Sequence, residues 1–253
     1  MKLVVMAKDC ESTWMMVNAL RFDYPHMQVV LEKPLSRWYI FRRRMVKVGI
    51  WTALWQIVFM LYLPVLRRLN QSRTKDLIDS AGLSMLQPED LAVKRIESVN
   101  SDECIAWLAT ESPDVVVLNG TRIVSLAVLK ACSAVFLNTH CGITPAYRGV
   151  HGAYWALYKR EPQNAGVTVH IVDKGIDTGD IIYQKTIEIN NHDNFLTYPV
   201  KQYIAGIPLM RQALADLAAG CLCTNSVSNL PSAIWQQPTC WQYLVARLLR
   251  GVR

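Results

Sequence analysis

The chain has 253 residues, of which 51% are hydrophobic and 19% are charged. This composition supplies enough apolar surface for a folded core and excludes a globally disordered chain, and the length excludes a disulfide-stapled miniprotein. Lys and Arg outnumber Asp and Glu by 27 to 20, and the resulting net charge of +7 favours an anionic partner or surface. Seven cysteines without a CxxC pair predict reduced thiols in a cytosolic protein, and the first residues predict no secretory signal.

The first thirty residues predict a β-α-β unit. Residues 2–6 and 27–31 are short apolar runs rich in valine, which is typical of buried strands. Between them, residues 11–20 carry apolar side chains at helical spacing. We therefore expect an α/β fold with a mostly parallel, doubly wound sheet.

Residues 34–80 interrupt this alternation with a basic and apolar block, which we interpret as a helical insertion. The 19 residues from 48 to 66 contain no charged side chain, a length that just reaches that of a membrane span. Cationic residues flank this run on both sides, namely Arg42, Arg43, Arg44 and Lys47 before it and Arg67 and Arg68 after it.

Three placements of the insertion stay open. A span would put the first strands and the later strands on opposite sides of a bilayer, and the matched cationic flanks give no orientation, so spanning is the least favoured. A helix or helical hairpin lying on an anionic membrane through residues 37–75 avoids both problems. Burial in the core or in a homodimer interface is the alternative. No nucleic-acid partner is expected, because the basic residues bracket an apolar block.

The alternation of strands and helices resumes beyond the insertion. We predict a helix over 102–109 capped by Ser101 or Asp102, a helix over 125–131, and a helix over 150–159. Predicted strands cover 115–118, 134–137, 166–172 and 180–189. We accordingly expect an α/β domain over 1–190 and a mostly helical C-terminal extension over 191–253, with a loop at 225–239.

The polar residues that carry chemistry follow two predicted strands. Asn138 and His140 are two residues apart, so their side chains share one side of an extended segment. The loop after the next strand contributes Asp173 and Asp177. Ligands of open α/β sheets bind at the carboxyl ends of the strands, where these groups can stabilise an oxyanion and move a proton during attack on an acyl carbon.

Other chemistries fit these residues less well. Cys141 is adjacent to His140, and neighbouring side chains of an extended chain point to opposite sides, which disfavours a nucleophilic Cys–His pair. The cysteines do not have the spacing of a zinc site, so we expect no metal.

Four linked motifs resemble those of the folate-dependent formyltransferases, a family that includes the glycinamide ribonucleotide, methionyl-tRNA and sugar N-formyltransferases. The resemblance is close over about residues 112–190. It implies a Rossmann-like formyltransferase domain, N10-formyltetrahydrofolate as the formyl donor and a primary amine as the acceptor. In chain order the motifs are Asn138-x-His140, Pro145-x-Tyr147-Arg148-Gly149, Gly166-Val-Thr-Val-His170 and Asp173-x-Gly175-x-Asp177-x-Gly179.

The resemblance implies catalytic roles for three residues. Asn138 would hydrogen-bond the formyl oxygen as it becomes an oxyanion. His140 would assist that stabilisation and handle a proton. Asp177 would keep the histidine charged and relay the proton of the amine. His170 lies in the middle of a predicted strand with apolar neighbours, and we interpret it as a core histidine rather than a catalytic one.

Binding roles follow from the same resemblance. One wall of the folate pocket would be the segment that holds the pterin ring, and this segment is one residue shorter here than in the family. The other wall would be the loop that follows residue 171. Arg148 and His151 are candidates for contacting the acceptor, with internal pairing and an ordinary helix start as their respective alternatives. The residues expected in the folate pocket are Gly120, Thr121, Arg122, Ile123 and Val124 on one wall and Val172, Asp173 and Gly175 on the other.

Departures from the family narrow the expected acceptor. The loop at residues 7–12 contains no glycine, which argues against phosphate binding as in the glycinamide ribonucleotide enzymes. The helical pattern after residue 190 argues against the β-rich tRNA-binding domain. We therefore expect a nucleotide- or lipid-linked amino sugar of surface polysaccharide synthesis, modified in the cytoplasm or at the inner face of the membrane. The alternatives are a formyltetrahydrofolate hydrolase and a non-catalytic folate-binding or membrane-associated scaffold.

Overall fold

A computed structural model describes residues 1–226 and 230–253, so three positions of the predicted loop at 225–239 lie outside the described residues. The strands are β1 Leu3–Lys8, β2 Gln28–Glu32, β3 Val93–Ile96, β4 Val115–Asn119, β5 Val135–His140, β6 Arg148–Gly149, β7 Gly166–Ile171, β8 Ile181–Thr186 and β9 Ile234–Trp235. The helices are α1 Glu11–Leu20, α2 Arg37–Val48, α3 Ile50–Ser80, α4 Asp102–Glu111, α5 Leu126–Leu129, α6 Gly152–Tyr158, α7 Thr197–Ala218 and α8 Cys240–Leu249, with a 3₁₀ turn at Pro162–Asn164.

Seven strands form the main sheet, in the order β3-β2-β1-β4-β5-β7-β8. The five strands from β3 to β5 are parallel, while β7 and β8 are antiparallel. The expectation of a mostly parallel α/β sheet is confirmed. Strand β3, which the sequence analysis did not assign, extends the sheet beyond β2.

Helices cover both faces of this sheet, as alternation along β1 illustrates. Leu3 and Val5 belong to a core that includes residues of α1 and α7. Val4 and Met6 point to the opposite core, which includes residues of α4 and α5. Every residue of β4 is buried, because a central parallel strand is covered on both faces.

The C-terminal segment contributes to this fold in two ways. α7 packs against the sheet, and its Ile207 and Met210 are part of the same core as α1, so the predicted extension begins with a helix of the main core. The last helix of the extension is α8, which starts at a Thr239 capping box. α8 packs on α3.

The insertion forms two helices, α2 and α3, separated at Gly49, whose φ of +81° lies in the region that favours glycine. By length and hydropathy, α3 is the helix of the described residues that meets the requirements for crossing a membrane, and 22% of its most apolar window is buried. Phe59 and Leu66 are buried in an aromatic cluster with residues of α6 and α8. Large apolar residues on the other side of α3, such as Trp51 and Leu61, are exposed, so burial in the core of this chain, one of the predicted alternatives, holds for only one side of the helix.

Candidate active site

The three predicted catalytic residues meet in one cavity of about 550 Å³ at the edge of the sheet where β4 and β5 end. β5 extends to His140, three residues beyond its predicted end, because β7 pairs with it there after the pairing with β4 has stopped at Asn138. Asn138 and His140 therefore occupy alternate positions of a regular strand and share one face, as their spacing predicted. Asp177 reaches the same cavity from the loop between β7 and β8.

The ring of His140 is held by hydrogen bonding on one side. Nε2 lies 2.7 Å from the carbonyl oxygen of Tyr147, and since a carbonyl only accepts, this nitrogen carries a hydrogen. Nδ1 lies 3.4 Å from Oδ2 of Asp177. In the neutral ring Nδ1 is therefore the nitrogen that is free to accept a proton, and a carboxylate stands beside it to stabilise the imidazolium that results.

Asp177 is fixed by its own backbone and by a neighbouring amide. Its φ of +50° lies in the left-handed region, which aspartate and asparagine tolerate better than most residues. The amide N–H of Gly149 donates to Oδ2 over 2.9 Å. The carboxylate thus accepts one backbone hydrogen bond and faces both His140 and His170, the second through Oδ1 at 3.8 Å.

His170, which the sequence indicated to be a core histidine, also belongs to the site. Its Nδ1 donates to the carbonyl oxygen of Ile171 over 2.7 Å, so its Nε2 accepts from Nδ2 of Asn138 over 3.1 Å. Burial lowers the pKa of His170, which favours the neutral ring that this acceptor role requires. His170 is a buried histidine, as predicted, but it also lines the cavity and orients the Asn138 amide.

The orientation of Asn138 decides what its amide can do. One N–H of Nδ2 is engaged by His170, and the second N–H remains to meet a ligand in the cavity. An amide N–H next to an imidazole is the kind of donor set that stabilises a developing oxyanion. The arrangement therefore combines an oxyanion donor, a proton acceptor and a carboxylate within one pocket.

The residues predicted for folate binding line the same cavity. All eight contribute: Gly120, Thr121, Arg122, Ile123, Val124, Val172, Asp173 and Gly175.

Hydrogen bonds of two carboxylates hold the two predicted folate-binding segments in place. Glu32, only 5% exposed, accepts from the backbone N–H of Arg122 over 2.5 Å and so holds the first segment against β2. Asp173 accepts from the N–H of Gly175 over 2.9 Å and from the Thr178 hydroxyl over 2.7 Å, which closes the turn of the second segment. In these contacts the side chain of Asp173 stabilises the turn. The role of the eight residues in folate binding stays a prediction.

The two residues predicted to contact the acceptor differ in their placement. Arg148 does not line the cavity, and its guanidinium donates to the carbonyl oxygen of Ile176 over 3.2 Å, which is the internal pairing considered as its alternative. His151 does line the cavity, and its Nε2 lies 2.7 Å from Oε1 of Gln237. Burial lowers the pKa of His151 to about 4, so a neutral ring is expected at neutral pH.

Cys141 has no nucleophilic arrangement in this pocket. Burial raises the pKa of its thiol to about 12, which keeps the sulfur protonated at neutral pH. The structure thus agrees with the interpretation that disfavoured a Cys–His pair. Among the described residues there is also no cluster of three or more His, Cys, Asp or Glu side chains that could hold a metal ion.

α7 contributes a wall that the sequence analysis did not assign to the site. Pro199, Gln202 and Tyr203 line the cavity from this helix. They carry no motif and lie far along the chain from the strand-end loops, so only the packing of α7 against the sheet brings them to the pocket. Their apolar neighbours at helical spacing indicated a helix but not which side of the sheet it covers.

Comparison with known proteins identifies the family. A sequence model of the family described as "Formyl transferase" matches residues 71–202. The chain belongs to this family. The methionyl-tRNA formyltransferase of Thermodesulfovibrio yellowstonii is 31% identical over 158 residues, which are 61% of this chain and 47% of that protein. The chain thus spans about half the length of this curated relative.

Solved structures share the fold at low sequence identity. A sugar N-formyltransferase from Shewanella superposes with a TM-score of 0.59 at 16% identity, covering 93% of this chain and 76% of that protein. The N-formyltransferase from Helicobacter canadensis, solved with folinic acid and dTDP-3-aminofucose, gives 0.57 at 17% identity, covering 93% and 70%. The formyltransferase fold expected from the motifs is therefore confirmed across nearly the whole chain.

Proposed function

We propose that this protein transfers a formyl group from N10-formyltetrahydrofolate to the primary amine of an amino sugar carried on a nucleotide or a lipid. The observation that carries the proposal is the meeting of Asn138, His140 and Asp177 in the cavity that also holds the predicted folate segments. Membership of the formyl transferase family supports the reaction type. The Helicobacter structure, which was solved with folinic acid and an aminosugar nucleotide, supports the pairing of donor and acceptor.

The geometry suits direct attack of the amine on the formyl carbon. Asn138 donates its free N–H to the formyl oxygen as negative charge develops there. His140 accepts a proton from the attacking nitrogen at Nδ1, and Asp177 stabilises the imidazolium. The new carbon–nitrogen bond forms and the bond from the formyl carbon to N10 breaks, and the proton that His140 took from the amine passes to N10, which leaves as N–H. No covalent enzyme intermediate is needed.

A cationic cleft beside the cavity supports a phosphorylated acceptor. This cleft of about 310 Å³ shares Gly149, Val150 and Ile176 with the cavity and is lined by three cations of α2, while no carboxylate of the described residues lines it. The guanidinium and ammonium groups suit phosphate oxygens. The cations are Arg43, Arg44 and Lys47.

The first experiment tests the donor without knowledge of the acceptor. Thermal unfolding is measured with and without 5-formyltetrahydrofolate, a stable analogue of the donor. Ligand at about 100 times its Kd stabilises by about 2.7 kcal/mol, which corresponds to about 5–10 °C in a chain of this size. The absence of a shift at saturating ligand would refute the assignment of the folate pocket.

The second experiment identifies the acceptor. Consumption of N10-formyltetrahydrofolate is followed with nucleotide-linked and lipid-linked amino sugars, with methionyl-tRNA and with no acceptor. Transfer to an amino sugar is the expected result. Transfer to methionyl-tRNA, the acceptor named for the Thermodesulfovibrio relative, would replace the proposed acceptor, and consumption without any acceptor would indicate hydrolysis.

Variants connect the activity to the site. Asn138→Ala is expected to lower turnover by about 100- to 1000-fold, as the loss of one oxyanion donor does in other enzymes. Asn191→Ala and His192→Ala change exposed residues that do not line the cavity and serve as matched controls. Full activity of Asn138→Ala or His140→Ala would contradict the mechanism.

A further inference from the structure

One face of α3 carries a continuous stripe of exposed apolar side chains. The spacings along this stripe are three or four residues, so all of its members lie on the same side of the helix. Their exposed fractions range from 45% at Val58 to 75% at Trp51. The stripe consists of Trp51, Trp55, Val58, Leu61, Val65 and Leu69.

α8 extends this surface. Tyr62, which is 42% exposed, contacts Tyr243 of α8 with ring centroids 6.4 Å apart. Trp241 and Leu248 of α8 are exposed by 68% and 76%. We call the α3 stripe together with the exposed apolar residues of α8 the apolar face. Monomeric soluble proteins rarely leave so many large apolar side chains together in water, and such a patch is typical of an interaction surface.

The opposite side of α3 shows how the helix lies on the protein. Ala53, Phe59 and Leu66 are buried, and Phe59 packs against Phe195 and Tyr243 with ring centroids 5.1 and 4.8 Å apart. A helix that crossed a bilayer would have to leave these contacts. α3 is thus held along the folded domain and presents its apolar side outward.

Charge identifies the partner. Residues 33–75 and 217–253 contain thirteen of the 27 Lys and Arg residues and none of the 20 Asp and Glu residues. These two segments, which include α2, α8 and most of α3, therefore carry +13, and the remainder of the chain carries −6. A surface of negative charge attracts this side of the molecule and repels the other. A second copy joined by a two-fold axis would instead bring like charges together.

We propose that the apolar face docks on a membrane surface that contains anionic phospholipid. Trp51, Trp55 and Tyr62 supply the aromatic rings that favour the boundary between headgroups and acyl chains. Arg42, Arg43 and Lys47, exposed on α2, face the phosphates. Docking would bring the cationic cleft near the lipid headgroups, so an amine acceptor anchored in the membrane fits better than a free one. This last consequence rests on the proposed function, whereas the docking itself does not.

Vesicle flotation tests the docking. The full chain is mixed with vesicles of phosphatidylcholine alone or of phosphatidylcholine with phosphatidylglycerol. Binding is expected only to the second kind and is expected to weaken as salt rises. Equal binding to both kinds of vesicle, or no binding to either, would overturn the proposal.

Paired variants locate the contact. Trp51→Ser with Leu61→Ser is expected to abolish flotation, and Phe22→Ser with Leu86→Ser, which changes exposed apolar residues outside the apolar face, is expected to leave it intact. Both double variants alter exposed side chains, so thermal unfolding should show that each still folds. Loss of flotation in both variants, or in neither, would contradict docking through this face.

Two triple variants with the same net charge test the role of α2 in docking. Replacing Arg42, Arg43 and Lys47 by Gln is expected to weaken binding to anionic vesicles by about 100-fold. The control replaces three exposed lysines elsewhere by Gln, which gives the same net charge and should change binding much less; these are Lys130, Lys174 and Lys185. Equal weakening by both triple variants would refute docking by α2.

A second copy of the chain is the competing partner for the apolar face, and it predicts a different experimental result. Sedimentation equilibrium without lipid would show a dimer if two apolar faces paired. A dimer that Trp51→Ser with Leu61→Ser dissociates, without flotation of the parent chain, would replace the membrane by a second copy. Formyl transfer to a water-soluble amine by that double variant is expected to persist, so failure of docking and failure of the proposed function can be told apart.

Discussion

Two leucines nearly one turn apart on α3 allow the packing of this helix to be measured. Leu66 is 6% exposed in the aromatic cluster, whereas Leu69 is 74% exposed. Leu66→Ala removes buried apolar surface and leaves a cavity, which is expected to lower the free energy of unfolding by about 2–4 kcal/mol. Leu69→Ala makes the same chemical change in water and is expected to cost less than about 0.5 kcal/mol.

Urea unfolding in the absence of lipid measures the difference. In a parallel thermal unfolding experiment, the loss of unfolding free energy in Leu66→Ala corresponds, for a chain of this size, to a fall in Tm of about 5–12 °C. The dependence of the free energy on urea should be unchanged in both variants, because the same surface is exposed on unfolding. Equal destabilisation by Leu66→Ala and Leu69→Ala would refute the packing of α3 along the domain, and with it the orientation of the apolar face.

Three further predictions concern the cavity. In Gly142→Ala the new Cβ would overlap the Tyr147 carbonyl oxygen and lie 2.7 Å from Nε2 of His140. The free energy of unfolding should therefore fall by about 1–3 kcal/mol, and turnover should drop. Wild-type stability and turnover in this variant would contradict the prediction. Asp177→Asn keeps the left-handed backbone but loses the charge, so the thermal shift with 5-formyltetrahydrofolate should persist while turnover falls by about 100-fold or more; unchanged turnover would remove Asp177 from the mechanism. Because burial lowers the pKa of His151 from 6.5 to about 4, the unfolded chain takes up this proton first as pH falls. Stability should decline between about pH 6.5 and 4 by up to about 3 kcal/mol, and His151→Gln should reduce that decline in parallel urea titrations; an identical pH dependence would refute the buried neutral ring.

Local patterns predicted most of the elements because they need only short-range information. α1 begins and ends where its apolar spacing indicates, and Ser101, one of the two predicted caps, accepts from the N–H of Cys104 at the start of α4. The strand ends were less well predicted. β5 runs on to His140 because β7, which lies beyond an intervening loop and helix, supplies the pairing partner. Strand β3 was not assigned because its residues, VKRI, have no clear apolar pattern.

Some features of the candidate site also follow from the local sequence, and others depend on distant residues. Asn138 and His140 share a face because side chains alternate along any strand, so their spacing alone predicted a common site. Their partner His170 lies 32 residues from Asn138, and only the antiparallel register of β5 and β7 places the two side chains 3.1 Å apart. The carboxylate of Asp177 depends on a loop conformation with positive φ, which spacing does not determine.

The sequence by itself determined the α/β class, the strand-end polar residues, the family resemblance and the separation of charge along the chain, because each is a property of neighbouring residues or of composition. Tertiary structure decided which distant segments meet. It assigned Tyr203 of α7 to a wall of the cavity, paired the Arg148 guanidinium with the carbonyl oxygen of Ile176, and buried one side of α3 while exposing the other. These outcomes depend on the pairing and packing of residues far apart in the chain, and local periodicity carries no information about which of two apolar faces finds a partner.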